Sequence, residues 1–298
     1  MKEYLSDFLN RYDYPDAARD VFIGAYAAIC GNDEVLSSWN RMLAEYEADA
    51  KCDFAPQFKE CRHISDVLML PDFTLKLLLF ICHARHLEQL YAENGINAQI
   101  AHDSLMDLKY KMLECYEIYG VWGTFVPDWF GVLFRMKILT MGRLQFEPIR
   151  FEHTYEKNGV KLTEDSTVIN VHIPRTLTPL DPISCDKAYR RAAEFFAPVL
   201  GEEPCVFVCH SWLLFPENET ILPPHSNLRS FMANYDILFW RYYNSENSEL
   251  WRLFDTLERR PDRLPTNTSL RRAYVNHLLR GGKTGHAYGV YVPDFSKD

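Results

Sequence analysis

The sequence predicts an α+β protein: a helical N-terminal domain over residues 1–124, followed by a mixed α/β sheet domain over residues 125–298. Three observations predict it. Apolar residues recur at helical spacing over roughly the first 140 positions, with no strand-like run among them. After that, short β-forming runs alternate with helical ones, the pattern of an α/β layer. Charge divides the same way. Residues 1–124 carry 11 basic and 20 acidic side chains, while residues 125–298 carry 21 of each, so the whole net charge of −9 lies in the first part. A length of 298 residues suits two domains.

Pro15 is a good first helical residue and Gly31 stops the run it opens. Between them Ala18, Val21, Phe22, Tyr26 and Ile29 keep helical period. A second helix, Asp33 to about Asp49, lines up Val35, Leu36, Trp39, Met42, Leu43 and Tyr46. A third opens at Pro71, is unusually apolar from Leu75 through Leu90 and closes at Gly95, which predicts a helix central to the domain. A fourth covers about Ala98 to Tyr119 and a fifth Trp129 to Thr140. The joint between domains lies between Gly120 and Gly142, without a flexible linker.

Arg143 to Phe151 (RLQFEPIRF) is the first strand region, and the Asn158-Gly159 pair predicts a tight hairpin turn. Thr167 to Ile173 (TVINVHI) is a strand with Ile169, Val171 and Ile173 on one side and Asn170 and His172 on the other; Pro174 ends it. Ser184 reads as the N-cap of a helix running to about Phe196. Cys205 to Leu214 is a nearly continuous apolar strand, as expected of a strand buried on both faces. A short helix from Ser226, a strand at YDILFWRYY, a helix capped by Thr268 and a last strand at HAYGVYV complete the chain.

An acidic protein repels phosphate backbones, so general nucleic-acid binding is not expected. The longest apolar run is far too short to span a bilayer, and MKEYLSDFLNRYDY has no apolar signal core. Eight scattered cysteines without a CxxC pair, several in apolar runs, suit a reducing compartment, so a cytoplasmic protein is expected. His83 and His86, with Cys82, and the separate Cys61 and His63 do not make a zinc set. No metal is expected.

Several residues could carry chemistry. The loop from Pro174 to Ser184 leaves a strand and meets a helix N-terminus, where free N–H groups favour an anion; Arg175, Lys187, Arg190 and Arg191 lie near it. Neither GxGxxG nor GxxxxGK[ST] is present, and an ordinary strand–helix connection has the same look. His172 could be a general base, an orienting group or a core histidine. Glu147 and Glu152 could serve an amine as base, or face solvent. Cys209 and His210 are adjacent on a strand and point to opposite faces, so a Cys209 nucleophile would need a base from elsewhere, such as His172; a small buried thiol is the plainer reading. Phe239, Trp240, Tyr242 and Tyr243 read as packing aromatics.

The segments GRLQFE, VINVHIP, AYRRAAEFF, CHSWLLFP, LPPHSNLRSF and LPTNTSLRRAYVNHLLRGG, together with the closing glycine-containing strand, resemble a bacterial family of two-domain acyltransferase domain-containing proteins. These join a helical N-acyltransferase N-terminal domain to a GNAT-like C-terminal domain, and the likeness covers nearly the whole chain. The resemblance implies acetyl-CoA or another acyl-CoA as substrate. Two parallel strands, here Thr167–Ile173 and Cys205–Ser211, would splay apart to admit the pantetheine. Ile173, Pro174 and Arg175, with Ser184 and Lys187 at the following helix, would then hold the pantetheine and pyrophosphate. It further implies direct attack by an amine, small-molecule or peptide, with His172 as base or orienter and Glu147 next in line. The acidic first domain would suit a cationic acceptor. The usual Arg/Gln-x-x-Gly-x-Gly/Ala loop is replaced by the glycine-free RTLTPLDPIS. A non-catalytic GNAT-like module that binds acyl-CoA, a metabolite or a protein is therefore the alternative.

Overall fold

The computed structural model describes residues 1–157, 159–243 and 250–296. It divides into two compact units, Met1–Leu139 and Thr140–Asp298. The first contains α1 (Lys2–Arg11), α2 (Asp16–Cys30), α3 (Asp33–Ala48), α4 (Ala55–Leu68), α5 (Asp72–Glu93), α6 (Ala98–Tyr119) and α7 (Pro127–Phe134). The unusually apolar run becomes α5, and α1, α2, α3, α4, α6 and α7 all pack on it. Leu75 and Leu77 to Ile81 are fully buried as a result. Lys76, near the start of that run, is buried too and pairs with Asp72 one turn back at 2.5 Å. A buried ammonium is tolerable only with such a partner.

Three differences from the sequence reading concern this unit. Helices α1 and α4 were not expected. The fifth helix stops at Phe134 instead of Thr140, because Met136 takes a left-handed conformation, φ 53°, which ends a helix. Finally, α7 belongs to the helical unit although it lies beyond residue 124. Polar contacts fasten it there: Tyr46 Oη donates to Phe134 O at 2.8 Å, Trp129 Nε1 to Asp107 Oδ2 at 2.7 Å, and Arg135 Nη2 to Cys52 O at 2.7 Å.

The second unit holds β1 (Leu139–Met141, which starts at the boundary), β2 (Leu144–Arg150), β3 (Tyr155–Lys157), β4 (Val160–Leu162), β5 (Thr167–His172), α8 (Pro182–Leu200), β6 (Phe207–Ser211), α9 (Asn218–Ile221), α10 (Asn227–Met232), β7 (Asp236–Tyr242), α11 (Leu250–Phe254), α12 (Ser269–Leu279) and β8 (Gly285–Tyr291). Six strands form one sheet in the order β1-β2-β5-β6-β8-β7. The β5–β6 pair is parallel, while β2–β5, β6–β8 and β7–β8 are antiparallel. The long apolar strand is shorter than expected, because Trp212–Leu214 turn into a 3₁₀ helix stabilised by Ser211 Oγ accepting from Leu213 N. The hairpin expected at Asn158 falls outside the described residues, although β3 and β4 on either side of it do pair antiparallel.

Register assigns every side chain to a face, because opposed residues share one and neighbours alternate. Phe146, Phe207 and Tyr291 face α8, where Tyr189 packs against all three with ring centroids 6.0, 4.8 and 5.0 Å apart. On the other face, Val168, Val208 and Val290 make an apolar cluster with Phe151, Tyr155 and Leu162, the last two from the β3–β4 hairpin. Further along the strands that second face turns polar.

Candidate active site at the parting of β5 and β6

The parallel pair is brief. Ile169 opposes Phe207 and Asn170 opposes Val208, with Ile169 N donating to Val206 O at 2.9 Å. Beyond these two registers each strand keeps only its outer neighbour. Val171 and His172 stay opposite Phe146 and Gln145 on β2, while Cys209, His210 and Ser211 stay opposite Gly289, Tyr288 and Ala287 on β8. The ladder between β5 and β6 therefore ends while both strands run on. Alternation along β5 turns the Val171 N–H, like that of Ile169, toward the gap.

The polar face of this opening carries two groups. On the β5 side, His172 Nε2 lies 2.8 Å from Glu147 Oε1, and Asn170 Nδ2 donates to the same oxygen at 2.9 Å. Asn170 Nδ2 also lies 3.0 Å from His172 Nε2. An ionised carboxylate only accepts, so His172 Nε2 carries the donating hydrogen and the ring's lone pair sits on Nδ1. The two candidates ranked first and second thus form one dyad, with Asn170 holding the carboxylate in place. All three project from the same face of the β2–β5 ladder, which is why they meet. Glu152, by contrast, is exposed outside any strand.

On the β6 side stands His210, two positions beyond Val208 as His172 is two beyond Asn170, so the two histidines share a face across the opening. His210 Nε2 contacts His286 Nδ1 at 2.5 Å. Partial desolvation, with His286 and His153 nearby, holds the His210 pKa below its usual value, so the ring is neutral at neutral pH. The sequence offered His210 only as a neighbour of Cys209. Its pairing with His286 depends on the β6–β8 register and could not be read from spacing.

Cys209 is a correction. It points to the α8 face, opposite His172, and is fully buried. Burial pushes its thiol pKa far up, so the reactive thiolate is suppressed. The plainer reading, a small core thiol, is the one that fits this position.

The loop after β5 also differs in detail from the expectation. The N-cap of α8 is Asp181, not Ser184, and the helix runs to Leu200. Pro182 takes the first helical position, which it favours, and the residue before it caps. Asp181 Oδ1 accepts from Ser184 N at 2.9 Å. Hydrogen bonds from the Ser184 side chain and amide keep the Asp181 carboxyl below its ordinary pKa. The helix N-terminus expected to greet a pyrophosphate thus already faces a carboxylate. Replacing Asp181 with Ser keeps a good cap and removes that charge. The expected result is roughly two- to fivefold tighter CoA binding, measured by calorimetry; unchanged or weaker binding would remove this helix end from the phosphate site.

Buried Arg143, which sequence reasoning missed, anchors this loop: Nη1 donates to Pro174 O at 2.9 Å and Nε to Pro179 O at 3.2 Å. It could have been noticed as a charged residue opening an apolar strand. Arg175 is gripped by Asp255 through Nη1 and Nη2, at 2.5 and 3.1 Å, and Arg271 contacts the same carboxylate. Ile173 is half-buried, Pro174 buried and Lys187 exposed. Two hollows adjoin Leu180 of the same loop. One of about 190 Å³ lies against Cys185, Tyr189 and Phe231, and one of about 550 Å³ is bounded by Leu222, His225, Leu228 and Leu270. Among the described residues, no group of three or more His, Cys, Asp or Glu side chains is placed to hold a metal, and no helix is long and apolar enough to cross a membrane.

Residues 138–291 match the model of the GNAT-like C-terminal domain, and residues 3–136 that of the N-acyltransferase N-terminal domain. The chain belongs to the two-domain acyltransferase family defined by that pair. Solved structures share the fold. One acyltransferase in complex with decanoyl-CoA is 20% identical, with a TM-score of 0.75 over 97% of this chain and 87% of its own. An acyltransferase bound to decanoyl-CoA and teicoplanin gives 20%, 0.75, 96% and 87%. An acyltransferase mutant with octanoyl-CoA gives 20%, 0.76, 98% and 88%. No curated protein sequence matches the chain.

Proposed function

We propose that this protein is an acyl-CoA-dependent N-acyltransferase that acts by direct attack of an amine on the thioester. The observation that carries the reading is the parting of β5 from β6 after two registers, with a histidine–carboxylate dyad on its rim. A pantetheine arm entering there would find the Val171 N–H turned toward it, with Ile173 and Pro174 along its path. Arg175, Lys187 and Ser184 lie at the loop and helix end where its phosphates would emerge. The solved relatives hold octanoyl- or decanoyl-CoA, and one holds teicoplanin, which supports a medium-chain acyl donor and an amine on a small molecule or peptide. The acidic helical unit suits a cationic acceptor, and the scattered cysteines suit the cytoplasm.

The chemistry balances as follows. The amine nitrogen attacks the thioester carbonyl carbon, forming an N–C bond, and the C–S bond then breaks. His172 Nδ1 takes one proton from that nitrogen, and Glu147 lies beside the ring as it becomes cationic. The departing thiolate takes up a proton to leave as CoA–SH, and the other product is an amide.

A second reading, a binding module without catalysis, is favoured by the glycine-free loop and by the carboxylate at the α8 N-terminus. Calorimetry with acetyl-, octanoyl- and decanoyl-CoA, followed by a thiol-release assay with benzylamine, spermidine, lysine and an aminoglycoside, separates the two. Binding with amine-dependent thiol release supports the transferase. Binding without it supports the module, and no binding to any CoA removes both.

A further inference from the structure

Two features of the loop after β5 would attract an anion, and each is already met by a carboxylate of the chain itself. At the N-terminus of α8 that carboxylate is Asp181. At Arg175 it is Asp255, the residue after α11, which accepts from Nη1 and Nη2 of the guanidinium. Asp255 also accepts from Nη2 of Arg271 on α12, so one carboxylate serves two arginines. The two are not equivalent. The Arg271 side chain is 14% exposed and has two other anchors, Nε donating to Leu253 O at 3.0 Å and Nη1 to Asn267 Oδ1 at 2.9 Å. The Arg175 side chain is 33% exposed, and Arg143 fixes the backbone of its loop through Pro174 O and Pro179 O. Arg175 is therefore the member that can swing away while its loop stays in place. Asp255 keeps Arg271 when it does. The usual obstacle to opening such a pair, a mostly buried charge left alone, is thus removed.

We propose that Asp255 is an internal competitor for the phosphates of CoA: it holds Arg175 until a phosphate takes the guanidinium, and Arg271 holds Asp255 from then on. The inference rests on the transferase reading and adds a regulation of its donor site. A guanidinium fork fits carboxylate and phosphate alike, so one can replace the other on Arg175. Part of the binding energy of CoA is then spent on separating Arg175 from Asp255, and the apparent affinity is lower than that of a protein whose arginine is already released. A ligand with the pantetheine arm but no phosphate has nothing to offer Arg175 and leaves the pair closed.

The test uses Asp255→Asn and Asp255→Gly. Both remove the charge and accept the left-handed conformation of this position, φ 54°. Calorimetry compares octanoyl-CoA with octanoyl-pantetheine, which carries the arm without phosphates. Both variants should bind octanoyl-CoA roughly three- to tenfold tighter than the parent, and octanoyl-pantetheine equally well. In an Arg175→Gln background the same substitutions should bring no gain, because the guanidinium they release is absent. A purely structural role for Asp255 would instead weaken both ligands together and lower the melting temperature. Unchanged or weaker octanoyl-CoA binding in the two variants, or a gain that persists without Arg175, overturns the competitor role and leaves the transferase reading intact. A parent protein that binds neither ligand overturns that reading and this inference with it.

Discussion

Replacing His172 with Ala should lower kcat for amine acylation by roughly 10²–10⁴-fold, the usual contribution of a positioned general base. Octanoyl-CoA affinity should stay within roughly threefold, because the proposed mechanism has the imidazole act on the amine's proton and not on the cofactor arm. The dyad geometry extends the expectation. Glu147 Oε1 is held by both His172 Nε2 and Asn170 Nδ2. Glu147→Gln presents the histidine with a neutral partner and should cost less than His172→Ala. Asn170→Ala only loosens the carboxylate and should cost least. Steady-state kinetics paired with calorimetry read the series. Equal turnover for His172→Ala and the parent would take His172 out of the mechanism. A loss of CoA binding equal to the loss of rate would make it a cofactor contact instead.

Stability should fall as pH drops below about 6.5, and His83 should be a main cause. This side chain lies in α5, ringed by Tyr46, Phe54, Phe80 and Phe134. Gln57 donates through its nitrogen to Met42 O and Glu45, which leaves Gln57 Oε1 as the acceptor for His83 Nε2 at 2.9 Å. Burial lowers the ring's pKa from 6.5 to about 3, which keeps it neutral in the folded protein at neutral pH. Between those values the unfolded chain binds a proton that the folded chain does not, so stability rises with pH across that window. Conversely, the contribution is complete above the unfolded pKa and is lost as pH falls toward the folded one. At about 1.36 kcal/mol per unit, the shift is worth on the order of 4 kcal/mol at the acid end. His83→Gln keeps a donor for Gln57 and removes the titration. Urea unfolding from pH 7.5 to 4.5 should show the parent losing stability faster than the variant. Parallel curves would contradict the assignment.

Much of the helical unit was legible because its signals are local. Gly31, Asn94-Gly95 and Gly120 bracket α2, α5 and α6 to within a residue or two. Helix α5 announced its central position by its unusually apolar first half, Leu75 to Cys82. The short α4 lacked such marks: its apolar positions are few, and it ends at Met69 in a left-handed conformation, not at glycine. The end of α7 was missed for a similar reason, since Met136 carries a positive φ that methionine does not advertise.

The site divides along the same line. His172 and Asn170 share a strand face by simple alternation, so the sequence could propose them. That Glu147 meets them is a matter of β2–β5 register, which a sequence does not state. His210 became visible only through the β6–β8 pairing. The cap of α8 was misplaced because Ser184 is a good cap type, while Asp181, directly before Pro182, was passed over. The proline's preference for the first helical position decides between them.

The parting of β5 and β6 is tested most directly by amide hydrogen exchange, read by mass spectrometry on peptides covering residues 167–173 and 206–212, with and without octanoyl-CoA. An arm seated in the gap would bond to Val171 and shield both strand ends. Exchange should then slow in the two peptides together, and far less in β7 and the β3–β4 hairpin. Octanoyl-CoA that binds yet leaves both peptides exchanging at their original rates would place the cofactor outside the sheet and contradict the account.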